Sequence, residues 1–169
     1  MDNHLDRSAR LDARAIEVLY RQYGGMVMRR VLRFFPPDEA EDVVQEVFLR
    51  ALDKAETFRG DASASTWLYQ IATHYCLTQL KTRSRRKRLW GTGSQLPWGS
   101  PITPANQEAK TFLNEIWRDL DDEMLMIGVS YFVDDLSHED IARVVGCSRR
   151  TVGNRIAALR QLVAERSDG

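Results

Sequence analysis

Arg149, Arg150, Thr151, Asn154 and Arg155 crowd into one short stretch of the sequence. Arginine and asparagine can bond base edges in pairs, so this set could read duplex DNA. A second cluster, Lys81, Arg83, Arg85, Arg86, Lys87 and Arg88, has the charge to hold a phosphate backbone. Just ahead of it stand Trp67, Tyr69 and Tyr75, rings on which unpaired bases could stack, and His74, which can donate, accept and stack. Each set also has a plainer reading. The basic run suits a solvated tail, Trp67 suits a core as well as it suits a base, and the arginines suit the outer face of any helical hairpin. Chemistry that breaks covalent bonds has no such foothold. There is no GxxxxGK phosphate loop, no HExxH and no nucleophile elbow. His4, His74 and His138 have no metal-ligand spacing. Asp38, Glu39, Glu41 and Asp42 are explained by a helix N-terminus, where the helix dipole favours acids. No catalytic residue, metal, cofactor or small-molecule substrate is expected.

The charge balance supports a divided molecule. Lys and Arg number 24, as do Asp and Glu, so the net charge is zero. A uniform nucleic-acid sponge is therefore excluded, and distribution matters instead. Acids gather at Asp38, Glu39, Glu41, Asp42 and Glu46, and again at Asp119, Asp121, Asp122 and Glu123, apart from the basic clusters. Met1-Asp2-Asn3-His4 lacks the apolar core of a secretory leader. No apolar run approaches the roughly 20 residues of a membrane helix. Cys76 and Cys147 stand far apart and form no CxxC pair. The expected compartment is a reducing cytoplasm, without membrane insertion.

The elements that must carry these clusters read as helices throughout. Ile16, Leu19, Tyr20, Tyr23, Val27, Val31 and Phe34 recur at steps of three and four, predicting a helix over 15–35 that Pro36-Pro37 stops. Gly24-Gly25 weakens it by about 1 kcal/mol per glycine. A second helix is expected over 38–57, striped by Val43, Val44, Val47, Phe48, Ala51 and Leu52. Phe58-Arg59-Gly60-Asp61 reads as a turn, and a third helix over 63–82 runs out into the basic cluster. Residues 91–105 are rich in Gly, Pro and Ser and read as a flexible linker. Helices resume near Asn106: one over 111–120 striped by Phe112, Leu113, Ile116 and Leu120, then a segment over 124–133. The expected fold is all-α, with two small helical domains at 1–90 and 106–169 joined by the linker at 91–105.

Residues 137–162 form a helix-turn-helix by local chemistry. Ser137 caps the first helix and Asp140 closes a capping box. Ile141, Ala142 and Val145 point inward. Gly146 supplies the turn, where positive φ is easily reached, and Ser148 caps the second helix. Val152, Ile156 and Leu159 point inward, leaving Arg149, Arg150, Thr151, Gly153, Asn154, Arg155 and Ala157 outward. That is the layout of a recognition helix.

Three ordered segments carry a family resemblance. Glu41-Asp42-Val43-Val44-Gln45-Glu46-Val47-Phe48-Leu49-Arg50-Ala51-Leu52 resembles the core-binding segment of sigma-70 family proteins. Phe58-Arg59-Gly60-Asp61 with Ser65-Thr66-Trp67-Leu68-Tyr69-Gln70-Ile71-Ala72-Thr73-His74 resembles their promoter-melting segment. The helix-turn-helix resembles their region 4. The resemblance spans roughly residues 12–88 and 106–163, and the short connection between the halves resembles the compact extracytoplasmic-function (ECF) group. It implies a region 2 helical bundle at 1–90 and region 4 at 106–169. It implies core-polymerase contacts by Asp42, Gln45, Glu46 and Arg50. It implies minus-ten DNA contacts by Trp67, Tyr69, His74, Tyr75, Lys81, Arg83, Arg85 and Arg86, and minus-thirty-five contacts by Arg149, Arg150, Thr151, Asn154 and Arg155. The implied partners are core RNA polymerase, promoter DNA and an anti-sigma factor that sequesters the protein.

The departures from the family pattern are His74, where relatives often have Asn, and Gly153, where they usually carry a long polar or basic residue. Asp121-Asp122 stands where relatives often have Pro-Pro, and the stretch 89–107 holds no acid. The expectation is a bacterial transcription initiation factor without catalysis of its own. The alternative is a stand-alone helix-turn-helix regulator that binds duplex DNA as a dimer.

Overall fold

The computed structural model describes residues 13–58, 63–89 and 106–167. These residues form seven α-helices: α1 (Ala13–Val31), α2 (Pro37–Asp53), α3 (Ala64–Leu89), α4 (Gln107–Thr111), α5 (Asp122–Phe132), α6 (His138–Val145) and α7 (Arg149–Ser167). A 3-10 turn follows α2 at Ala55–Thr57, and a π-helical stretch follows α4 at Phe112–Ile116. No strand occurs among the described residues. The expected turn at 58–61, beyond Phe58, and the linker at 91–105 lie outside the described residues.

α1, α2 and α3 pack on one another. Leu19, Val27, Val31, Phe34, Val44, Val47, Leu68, Ala72 and Leu80 close their common core. Burying such a side chain stabilises by about 1.5–3 kcal/mol, so the stripes read from the sequence are what hold the bundle. α1 ends at Val31 rather than Phe35. Phe35 precedes a proline, which disfavours helical geometry there. The chain instead tightens into a turn that buries Phe34 and Phe35, with Phe34 N–H donating to Val31 O at 2.9 Å. α2 opens on Pro37 at its first position, where a missing N–H costs nothing. It stops at Asp53 rather than Thr57. α3 continues through the basic cluster to Leu89, because Lys and Arg are good helix formers.

α4, the π-helical stretch, α5 and α7 form the second group, with α6 against α5 and α7. Asn106 caps α4 by accepting from Ala109 N–H at 2.8 Å, so the helix starts earlier than Thr111. The wide turn then carries Phe112, Leu113, Ile116 and Trp117 all into the core, with Trp117 N–H donating to Phe112 O at 3.2 Å. Asp121 caps α5 by accepting from Met124 N–H at 2.7 Å. α3 also packs against α5 and α6, so the two groups touch.

Candidate nucleic-acid and polymerase interfaces

The helix-turn-helix is built by the expected caps. Ser137 Oγ accepts from Asp140 N–H at 3.1 Å and donates to the Asp140 carboxylate at 2.6 Å. Gly146 adopts φ 78° and ψ 31°, the left-handed geometry that ends α6. Ser148 Oγ accepts from Thr151 N–H at 3.0 Å and starts α7. Val152, Ile156 and Leu159 are buried, which turns Arg149, Arg150, Asn154 and Arg155 outward into solvent, with Thr151 half-buried beside them. Arg155 lies 3.3 Å from Glu123, an exposed pair that a DNA phosphate or base can outcompete. A Cβ at Gly153 would meet only His138 Nδ1, at 4.0 Å, so a side chain would fit there.

On α2 the buried stripe of Val43, Val44, Val47 and Phe48 leaves Asp42, Gln45, Glu46 and Arg50 exposed together. Leu49, 55% exposed, and Tyr20 of α1, 47% exposed, sit in the same neighbourhood. Tyr20 meets Phe48 edge to face, with ring centroids 4.9 Å apart. The polar face thus has an apolar component that reading the polar residues alone missed. Its signal is Leu49 standing outside the helical stripe.

The residues expected at the minus-ten strand divide into three sets. Trp67 is buried and packs on Phe58 with centroids 5.1 Å apart, the core role that its type also suited. Tyr75 is half-buried under the Arg50 guanidinium, 4.7 Å from its ring centroid, which ties the α3 face to the α2 face. Burial, then the Glu46 carboxylate, raises the Tyr75 hydroxyl above its ordinary value. Arg85 and Arg86 point into solvent, while Arg83 pairs with Glu39 at 2.5 Å and lies over the Phe35 ring. The side chains of Lys87 and Arg88 lie outside the described residues.

The third set is engaged by the second helical group. His74 Nε2 is 3.4 Å from the Asp122 carboxylate. Lys81 Nζ donates to Leu120 O and lies 3.5 Å from Asp122. The Tyr69 hydroxyl donates to Asp134 Oδ2 at 2.7 Å. Burial raises the Tyr69 hydroxyl well above its ordinary range, opposed by Arg30 and reinforced by Asp134, so it stays a donor at neutral pH. Val144, absent from the expected inner face of α6, is 9% exposed because it lines the cleft shared with Trp67, Gln70 and Ile71. Ala142 and Val145, expected inward, are half-buried against the core.

Neither cysteine is arranged to be a thiolate near neutrality. Burial pushes the Cys76 thiol up to about 12. Burial, then Glu123, raises that of Cys147. A reactive cysteine needs the opposite shift. Among the described residues no cluster of His, Cys, Asp and Glu is arranged to hold a metal. No described helix is long and apolar enough to cross a membrane.

Residues 19–86 match the family model for sigma-70 region 2. The ECF RNA polymerase sigma-E factor of Escherichia coli strain K12 is 28% identical over 171 residues, covering 94% of this chain and 90% of the relative. The ECF RNA polymerase sigma-E factor of Haemophilus influenzae aligns with the same identity and coverage. A solved sigma factor bound to an anti-sigma factor, from Bartonella quintana, covers 88% of this chain and 96% of its own at 20% identity and TM-score 0.48. The region 2 match falls within α1–α3 and the sigma-E alignments run nearly the full length of the chain, so the chain is similar to the ECF sigma factors of the sigma-70 family along both of its helical groups.

Proposed function

We propose that the chain docks on core RNA polymerase through the exposed face of α2, with Asp42, Gln45, Glu46 and Arg50 as the polar contacts. α3 then receives the melted minus-ten strand. His74 and Tyr75 contact bases, Tyr69 lines the path of the strand, Lys81, Arg83, Arg85 and Arg86 hold phosphates, and Trp67 keeps the helix seated on the bundle. α7 enters the major groove of the minus-thirty-five element with Arg149, Arg150, Thr151, Asn154 and Arg155. The domains divide at 1–90 and 106–169, with 91–105 linking them. The polymerase performs all the chemistry, and the protein works in the cytoplasm under the control of an anti-sigma factor.

The observation that carries this reading is the pairing, in one chain, of a sigma-70 region 2 match over residues 19–86 with a capped helix-turn-helix whose arginines face outward. It predicts a monomer that gives no specific promoter footprint alone and a discrete one with core polymerase. Light scattering and nuclease footprinting check both parts. A dimer that footprints promoter fragments unaided would favour a stand-alone regulator instead.

A further inference from the structure

One buried carboxylate, Asp134, joins the two helical groups. Asp134 lies on the turn between α5 and α6, and its side chain is 8% exposed. Oδ1 accepts from Arg30 Nη1 at 2.6 Å, Oδ2 accepts from the Tyr69 hydroxyl, and Arg33 Nε stands 3.7 Å away. Arg30 is 5% exposed and is itself held in place. Its Nε donates to Thr73 Oγ1 at 2.9 Å, and its guanidinium lies 4.7 Å from the Phe34 centroid and 4.6 Å from that of Tyr69. Its buried Nη2 has no hydrogen-bond partner among the described residues. The first helical group therefore presents a socket with more donors than one carboxylate uses. A phosphate offers a further acceptor oxygen and suits a planar guanidinium equally well. Were Asp134 simply to leave, Arg30 would be a poorly compensated charge, so an anion is its natural successor.

We propose that Arg30, Arg33, Tyr69 and Thr73 form a site for a backbone phosphate of promoter DNA, and that Asp134 occupies it in the free chain. The helix-turn-helix group thereby covers α3 until the two groups part. Asp134 acts as a built-in substitute for the phosphate. The faces of α2 and α7 stay exposed meanwhile, so docking on polymerase and reading of duplex DNA remain open while strand capture is closed. This inference rests on the reading of α3 as the strand-binding helix.

The test uses the full chain, small-angle scattering, and the anisotropy of a fluorescein-labelled oligothymidylate over a salt series. Asp134→Ala should enlarge the radius of gyration. It should tighten oligonucleotide binding about tenfold, the gain expected when a form present at about one part in ten becomes dominant. The logarithmic salt slope should steepen by about 0.7, the value for one further phosphate on a single strand. Adding Arg30→Ala should abolish both binding gains. Val144→Asp, which opens the contact from α6 and leaves the socket intact, should reproduce the expansion and the tighter binding, and it carries the test should Asp134→Ala fail to fold. Expansion with unchanged affinity and slope would overturn the phosphate site. No expansion in either variant would overturn the closure. Displacement of the oligonucleotide by inorganic phosphate at constant ionic strength would assign the socket to the free ion instead. Run-off transcription with core polymerase separates the two levels: no transcripts from any variant would remove the underlying reading of α3, whereas normal transcripts with unchanged oligonucleotide binding would remove only the socket.

Discussion

At Gly128 a Cβ would run into the ring of Phe112, which is fully buried and stacked on Phe132 with centroids 5.0 Å apart. Gly128→Ala should therefore destabilise the protein by about 1–3 kcal/mol, since neither ring has space to retreat. A urea titration would show a lower midpoint at an unchanged slope, and an unshifted midpoint would mean that the ring yields freely. Nothing in the sequence marked this glycine, because the crowding comes from a residue on another helix. Local chemistry was far more legible. Ser137, Gly146 and Ser148 announce their roles by type and spacing, and each adopts the geometry that its type suggests. The Arg30–Asp134 pair joins residues 104 positions apart, and no periodicity reports on such a pair.

Among the elements, α7 depends on its first turn. Ser148 Oγ satisfies Thr151 N–H, and Arg149 and Arg150 stand on that same turn. Ser148→Ala should cost about 1 kcal/mol of stability. It should also weaken minus-thirty-five duplex binding by holoenzyme more than it weakens binding to random duplex, because frayed arginines still find phosphates but lose their aim at bases. Thermal unfolding and competition binding measure the two effects, and an equal loss on both duplexes would show that this turn does not read sequence. The helical stripes were visible in the sequence, whereas the helix ends were less so. α1 stops early because Pro36 constrains Phe35, and α3 runs on because basic residues tolerate a helix. The π-helical stretch at Phe112–Ile116 breaks the very period on which such reading depends. The α2 face is legible as a polar stripe, but Leu49 and Tyr20 join it only once α1 is laid beside it.

For the whole molecule, the order of the segments conveys more than any one of them. A helix-turn-helix alone suits many regulators, and an acidic amphipathic helix alone suits any surface. Together with the match of residues 19–86 to sigma-70 region 2, they carry the proposal of an initiation factor. What stayed hidden is the packing of the two groups on each other. The side chains proposed for strand binding, Tyr69, His74 and Lys81, are held here by Asp134, Asp122 and Leu120. Run-off transcription on genomic promoter fragments tests the central claim most directly, using bacterial core RNA polymerase with and without the protein and with the Asp42→Ala, Gln45→Ala double variant. Discrete transcripts that require the protein and fade in the double variant, while its circular dichroism is unchanged, are the expected result. No transcripts and no core binding, together with a footprint from the protein alone, would contradict the account.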